Sequence, residues 1–142
     1  MWVGRHRPSG VLLAGAVVVF MVGCSSGSPA HETRAVHVVE RDFHIKAPNS
    51  VRPGKVTFTI QNKGPDDHEF IVVRTGHRGL PLRKDGLTVD EDAVEGRTAG
   101  ALEPAAPGVE QLQVHLKPGH YELICNMSGH YRGGMHARLD VS

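Results

Sequence analysis

The sequence predicts an all-β fold, an antiparallel β-sandwich built from short strands. Glycine (17) and proline (9) are plentiful among the 142 residues, and aromatic residues make up only 5%. This composition favours many turns over long helices. Short segments in which apolar and polar residues alternate recur between turn signals, as expected for strands with one buried face.

The clearest predicted strand is Lys55–Gln61, because Val56, Phe58 and Ile60 share one face and two threonines share the other. Gln111–Leu116 alternates in the same way and is the second clear strand. The remaining predicted strands are Ala35–Glu40, Phe43–Ile45, Glu69–Arg74, Tyr121–Ile124 and Met135–Val141.

Residues 76–108 differ from the rest of the domain. They are polar, contain several glycines and prolines, and lack sustained strand alternation. We expect a long excursion across the domain surface, with one or two helical turns at Val89–Glu95 capped by Asp90.

The first 23 residues have the layout of a bacterial lipoprotein signal peptide. A basic start precedes the apolar run Val11–Val22, which is shorter than the roughly 20 residues needed to span a bilayer. The run leads into Met-Val-Gly-Cys, which resembles the lipobox, and this resemblance implies cleavage before Cys24 and a lipid on its thiol. Residues 24–34 are expected to form a flexible tether, and residues 35–142 the folded domain. We therefore expect a membrane-anchored protein of the bacterial cell envelope, outside the cytoplasm.

Charge and composition limit the partners of this domain. The net charge of +1 gives no basic field that would attract nucleic acid. A single tethered domain is most simply a monomer. Ten histidines suit either a polar surface or a protein that handles metal.

Cys125 is the only cysteine besides Cys24. If Cys24 carries lipid, Cys125 is an unpaired thiol in a compartment where disulfides are normal. Either metal coordination or deep burial would protect it.

The segment after the Tyr121–Ile124 strand carries a metal-binding pattern. His130 follows Cys125 by five residues, and Met135 follows His130 by five more. Thiolate and imidazole ligands suit both oxidation states of copper, and a thioether is a weak axial ligand that tunes the potential. A second imidazole must come from elsewhere, and His68, in the connection between two predicted strands, is the natural source. The sequence thus predicts one copper ion held by His68, Cys125, His130 and Met135.

These residues resemble the cupredoxin family. The resemblance rests on the Cys-x4-His-x4-Met loop, the Pro-Gly-x-Tyr-Glu-Leu-Ile-Cys run before it and the upstream Asn-x-Gly…His-Glu-Phe segment. The ligand loop is most similar to those of rusticyanin-like and sulfocyanin-like members. The resemblance implies a Greek-key sandwich and one-electron transfer through a type 1 copper centre, with His130 as the electron's exit. Many cupredoxins have Asn or Ser after the first histidine ligand, where this chain has Glu69.

Three functions remain open at this stage. The first is an electron carrier of the cell envelope that works with a redox partner protein; it is not an enzyme, because protein ligands fill the metal shell. The second is an extracytoplasmic protein that binds or delivers copper through the same ligands. The third is a structural sandwich domain without metal.

Several neighbouring side chains are expected to lie outside the site. His136 should point away from it, because successive strand residues face opposite sides. Met127 is expected to pack over the site or, with Tyr131, to form an apolar rim. Solvated surfaces are the favoured location for the other histidines, which are His31, His37, His44, His77, His115 and His120.

Overall fold

A computed structural model of the chain describes residues 33–76 and 79–142. The signal peptide, Cys24 and nearly all of the predicted tether lie outside the described residues, so they stay predictions. In the described residues, no helix is long and apolar enough to cross a membrane.

The strands are β1 (Arg34–Arg41), β2 (His44–Lys46), β3 (Ser50–Val51), β4 (Gly54–Asn62), β5 (His68–Arg74), β6 (Thr98–Ala105), β7 (Gly108–Leu116), β8 (Gly119–Ile124) and β9 (His136–Val141). The short helices are α1 (Glu91–Val94), a 3-10 turn (Glu95–Arg97) and α2 (His130–Gly133).

The strands form two sheets, in the orders β2-β1-β4-β7 and β3-β9-β8-β5-β6. This arrangement confirms the predicted all-β sandwich. Not every pairing is antiparallel, however, because β1 runs parallel to β4 and β3 runs parallel to β9. The reason is topological. After the β1–β2 hairpin the chain crosses to the edge of the second sheet at β3, and it returns as β4 in the same direction as β1.

The core lies between the two sheets and follows the alternation of the strands. The inward residues of β4, which are Val56, Phe58 and Ile60, are at most 3% exposed, as the sequence pattern predicts. The Phe58 ring packs against that of Phe70 on β5, with 5.4 Å between ring centroids. Burial of these side chains, each worth about 1.5–3 kcal/mol, fixes the register of the sheets.

The segment 76–108 covers the outer face of the second sheet. β5 is apolar on both faces, because Phe70 and Val72 face the sandwich core while Ile71 and Val73 belong to a separate outer cluster. The buried side chains that complete this cluster are Leu80, Val89, Val94 and Ile124.

The prediction for this segment can be compared with the structure. The predicted helical turn is confirmed as α1, and the Asp90 side chain accepts a hydrogen bond from the Ala93 backbone N–H at 3.4 Å. The segment also contains a strand that was not predicted, since β6 lies within it and pairs with β5 at the sheet edge. Register shifts interrupt this pairing and much of β6 is exposed, so its sequence shows no clear alternation.

Candidate metal centre

The segment between β8 and β9 folds into a compact loop at one end of the sandwich. Cys125 follows β8 directly, and α2 lies between Gly129 and Gly134, both of which have left-handed backbone conformations (φ 83° and 112°). The Cys125 N–H donates to the Met135 carbonyl at 3.1 Å, and the Met135 N–H donates to the His130 carbonyl at 3.0 Å. These backbone hydrogen bonds place Cys125, His130 and Met135 beside one another.

Three of the four predicted ligands converge at this end of the molecule. One candidate ligand atom each from His68, Cys125 and His130 lies within 4.8 Å of the others. The Cys125 Sγ is 3.4 Å from the His130 Nδ1, and the His68 and His130 ring centroids are 5.3 Å apart. Met135 is fully buried and belongs to the same core cluster as Cys125. The structure therefore brings together the first residue of β5 and the loop that follows β8.

The buried polar atoms of His68 fit a metal ligand. The side chain is 0% exposed, its Nδ1 has no hydrogen-bond partner among the described residues, and its Nε2 has the Asp42 carboxylate oxygen 3.3 Å away. Burial, and then the proximity of His130, lowers the pKa of His68, so the imidazole is neutral and has a free lone pair. An unsatisfied buried imidazole is costly unless something binds it, and a metal ion on one nitrogen would satisfy it.

The Cys125 sulfur has the surroundings of a metal-bound thiolate. Burial raises the pKa of the thiol to about 11, whereas backbone N–H groups of Met127 and Glu69 approach the sulfur and act in the opposite direction. Without a metal the thiol is therefore protonated at neutral pH. A bound cation would remove that proton, and the two N–H groups would then stabilise the sulfur's negative charge.

Glu69 connects the two parts of the chain that supply ligands. Its backbone N–H approaches the sulfur of Cys125, and its carboxylate interacts with the backbone N–H of Asn126. Burial, and then repulsion by Glu91, nevertheless raises the pKa of Glu69. At the position where the resemblance implies Asn or Ser, this chain thus has a longer acidic side chain that interacts with the ligand loop.

Asn126 supports the site and was not identified from the sequence. Its side-chain oxygen accepts from the Val89 N–H at 2.6 Å, and its amide nitrogen donates to the Val89 carbonyl at 3.0 Å and to the Glu91 carboxylate at 2.7 Å. The residue is 5% exposed. It thereby fixes the 76–108 segment to the ligand loop. A polar residue beside the cysteine is the only sequence signal for this role.

Replacing Asn126 with alanine should lower the free energy of unfolding by about 1–3 kcal/mol, because the buried N–H and carbonyl of Val89 lose their partners. Urea unfolding of the metal-free protein measures this change. Ser128→Ala is the matched control, since Ser128 lies in the same loop and is exposed. Equal stability of the Asn126→Ala and Ser128→Ala variants would contradict the assigned role of Asn126.

The other side chains near the site lie where the sequence suggested. His136 is on the surface, where its Nδ1 is 3.0 Å from the Glu122 carboxylate, and Tyr131 donates to the same carboxylate at 3.3 Å. Met127 is partly buried and packs against the core. The remaining described histidines are exposed, namely His37, His44, His115 and His120. His31 and His77 lie outside the described residues.

Comparison with known proteins places the fold. No family model matches the chain, and no curated protein matches it. Solved structures do match. Reduced auracyanin from Roseiflexus castenholzii has a TM-score of 0.58 at 19% identity, covering 76% of this chain and 96% of that one. Auracyanin A, described as a "blue" copper protein from Chloroflexus aurantiacus, has a TM-score of 0.58 at 17% identity, with 78% and 100% covered. Rusticyanin from Thiobacillus ferrooxidans has a TM-score of 0.54 at 18% identity, with 77% and 78% covered. The chain therefore has the cupredoxin fold, as its ligand-loop motif predicted.

Proposed function

We propose that this chain, which has the cupredoxin fold, is a mononuclear type 1 copper protein that carries single electrons in the bacterial cell envelope. The observation that carries this proposal is the convergence of His68, Cys125 and His130 in a buried cluster whose ligand atoms lie within 4.8 Å of one another. Met135 would supply the weak axial thioether. Copper bound there would cycle between Cu(I) and Cu(II). An electron carrier needs no other chemistry from its metal.

Burial of the ligands supports electron transfer rather than catalysis. Catalytic metal sites keep a coordination position open to water or substrate. Here Cys125 and Met135 are 0% exposed, His68 is 2% exposed and His130 is 9% exposed. Four protein ligands in a buried pocket would leave no such position, and the backbone hydrogen bonds of the ligand loop would keep the ligand positions similar in both oxidation states.

The same burial favours a carrier over a copper-delivery protein. Release of copper to an acceptor requires that an incoming ligand reach the metal, and all four proposed ligand side chains are buried here. The exposed histidines of the described surface are scattered, and His120 and His136 are each paired with a carboxylate. These histidines therefore form no visible route for copper toward the buried site.

The location in the envelope and the anchor are part of the proposal and rest on the sequence. The apolar run that ends at Cys24 supports a lipid anchor, and the free, buried thiol of Cys125 agrees with a cysteine reserved for metal. A redox protein of the same compartment would be the partner of this monomeric domain.

Addition of Cu(II) to the purified metal-free protein should produce an intense absorption band at about 600 nm, where thiolate-to-copper charge transfer falls for such sites. The band should saturate at one copper per chain, disappear on reduction and return on reoxidation. A weak band, with tight Cu(I) binding and rapid transfer to an acceptor, would favour copper delivery instead. Absence of copper binding would leave only the structural domain.

A further inference from the structure

The turn Asp42-Phe43, which joins β1 to β2, contacts both histidines of the site. The Asp42 Oδ1 lies 3.3 Å from the His68 Nε2. The Phe43 ring packs edge-on against the His130 ring, with 5.5 Å between centroids and an interplanar angle of 63°. A single two-residue turn therefore contacts both imidazoles. This turn is distant in sequence from every predicted ligand.

The backbone of this turn is strained in a way that the core does not explain. Phe43 has a φ of 59°, and within residues 33–76 and 79–142 it is the only residue other than glycine with a positive φ. This conformation costs a residue with a Cβ roughly 1–2 kcal/mol. The side chain is also 52% exposed, so burial does not repay that cost. Strained residues with this combination of features occur at ligand sites.

The ligand loop is shaped to receive the Phe43 ring. A Cβ at Gly133 would collide with this ring, and a Cβ at Gly134 would lie 3.3 Å from the Phe43 carbonyl oxygen. On the other side of the turn, the Asp66 backbone N–H donates to the Asp42 Oδ1 at 3.4 Å. Both residues of the turn are thus held against the site by contacts of their own.

We propose that the turn Asp42-Phe43 positions the two imidazoles and sets the copper potential, an inference that rests on the proposed function. The geometry assigns Asp42 to the His68 Nε2, which leaves Nδ1 for the metal, the same nitrogen that His130 presents to Cys125. A carboxylate behind a metal-bound imidazole orients the ring and raises its basicity. Its negative charge favours Cu(II). Phe43 keeps water from the His130 edge, and a less polar environment favours Cu(I), the state of lower net charge.

Asp42→Asn should weaken Cu(II) binding 10- to 100-fold, with a smaller loss for Cu(I), because outer carboxylates of metal-bound histidines have effects of that size. The reduction potential should therefore rise, by about 59 mV for each tenfold change in the ratio of the two affinities. Asp66→Asn is the matched control. Like Asp42→Asn, this substitution removes one negative charge that acts on the pKa of His68. Unlike Asp42→Asn, it leaves the contact between the Asp42 carboxylate and the His68 imidazole intact. Equal shifts in Asp42→Asn and Asp66→Asn would show a simple charge effect and overturn the positioning role.

Phe43→Asn should move the potential in the opposite direction, downward, because water then reaches the His130 edge. Asparagine tolerates the left-handed backbone, so the turn itself is preserved. Leu87→Asn is the matched control, a substitution of another exposed apolar side chain, in the 76–108 segment, and should leave the potential unchanged. Shifts of the same sign in Asp42→Asn and Phe43→Asn would indicate general loosening of the pocket and overturn the inference.

The wild-type spectrum separates this inference from the proposed function. If the wild-type protein never turns blue with copper, the proposed function fails. If it does turn blue, and Asp42→Asn and Phe43→Asn keep the wild-type affinity, potential and absorption maximum, only the role of the turn fails.

Discussion

Replacing Cys125 with alanine is expected to abolish the absorption band at about 600 nm completely, because that band requires charge transfer from this sulfur to copper. Copper affinity should fall by several orders of magnitude, since the thiolate is the only anionic ligand among the four. The metal-free variant should stay folded, because alanine fits within the space of the buried side chain. Absorption titration with Cu(II), together with urea unfolding of the metal-free protein, measures both effects.

The proton balance gives a second readout of the same substitution. Burial raises the pKa of the Cys125 thiol to about 11. At pH 7 the metal-free site therefore holds this proton, and copper binding must release it. Calorimetry in buffers of different ionisation enthalpy should show about one more proton released per copper in the wild-type protein than in Cys125→Ala. Between pH 7 and pH 10 the wild-type affinity should rise about tenfold per pH unit, because each unit lowers the cost of deprotonation by about 1.4 kcal/mol.

His136→Ala is the control for these measurements, since His136 lies next to Met135 in the chain but pairs with Glu122 on the surface. It should leave the band, the affinity and the proton count unchanged. Retention of the band in Cys125→Ala, or its loss in His136→Ala, would mean that the site has been assigned to the wrong residues.

The parts of the fold that the sequence predicts are those whose burial pattern is local. β4 and the Gln111–Leu116 part of β7 alternate because one face of each packs into the sandwich, and both were evident from the sequence. β3 spans only two residues, and β6 is a partly exposed edge strand with register shifts, so neither shows a period that could be recognised. The parallel pairing of β1 with β4 depends on how the chain crosses between sheets, which no local pattern encodes.

The same distinction applies to the site. Cys125, His130 and Met135 share one loop, so their spacing alone indicated a metal centre. His68 required an assumption about which loops meet at one end of the sandwich, and the structure brings it to the other two potential ligands as assumed. Asp42, Phe43 and Asn126 could not be identified in this way, because their roles depend on contacts between segments that are distant in sequence. An aspartate and a phenylalanine at a hairpin turn look like ordinary surface residues until the fold places them against two imidazoles.

Glu40→Gln is expected to reduce the pH dependence of stability, because Glu40 is a buried carboxyl group. Glu40 continues the inward stripe of Val36 and Val38 on β1, is 2% exposed, and has an Oε1 without a hydrogen-bond partner among the described residues. Burial, and then repulsion by Glu110 and Glu69, raises its pKa from the ordinary 4.5 to about 8. The native state therefore keeps a proton that the unfolded chain loses above pH 4.5.

The sign of the effect follows from this difference in bound protons. Below pH 4.5 both states are protonated and Glu40 adds no pH-dependent cost. Between pH 4.5 and 8 the wild-type protein loses stability as pH rises, and above pH 8 the loss is complete. The full loss is about 5 kcal/mol for a shift of this size. In Glu40→Gln the residue has no proton to lose, so urea unfolding of the metal-free variant should show a correspondingly smaller decline between pH 4.5 and pH 9. Glu95→Gln, an exposed carboxyl, is the control and should keep the wild-type slope. Parallel stability curves for Glu40→Gln and wild type would show that Glu40 is already ionised in the native protein, and that its buried oxygen has a partner in solution.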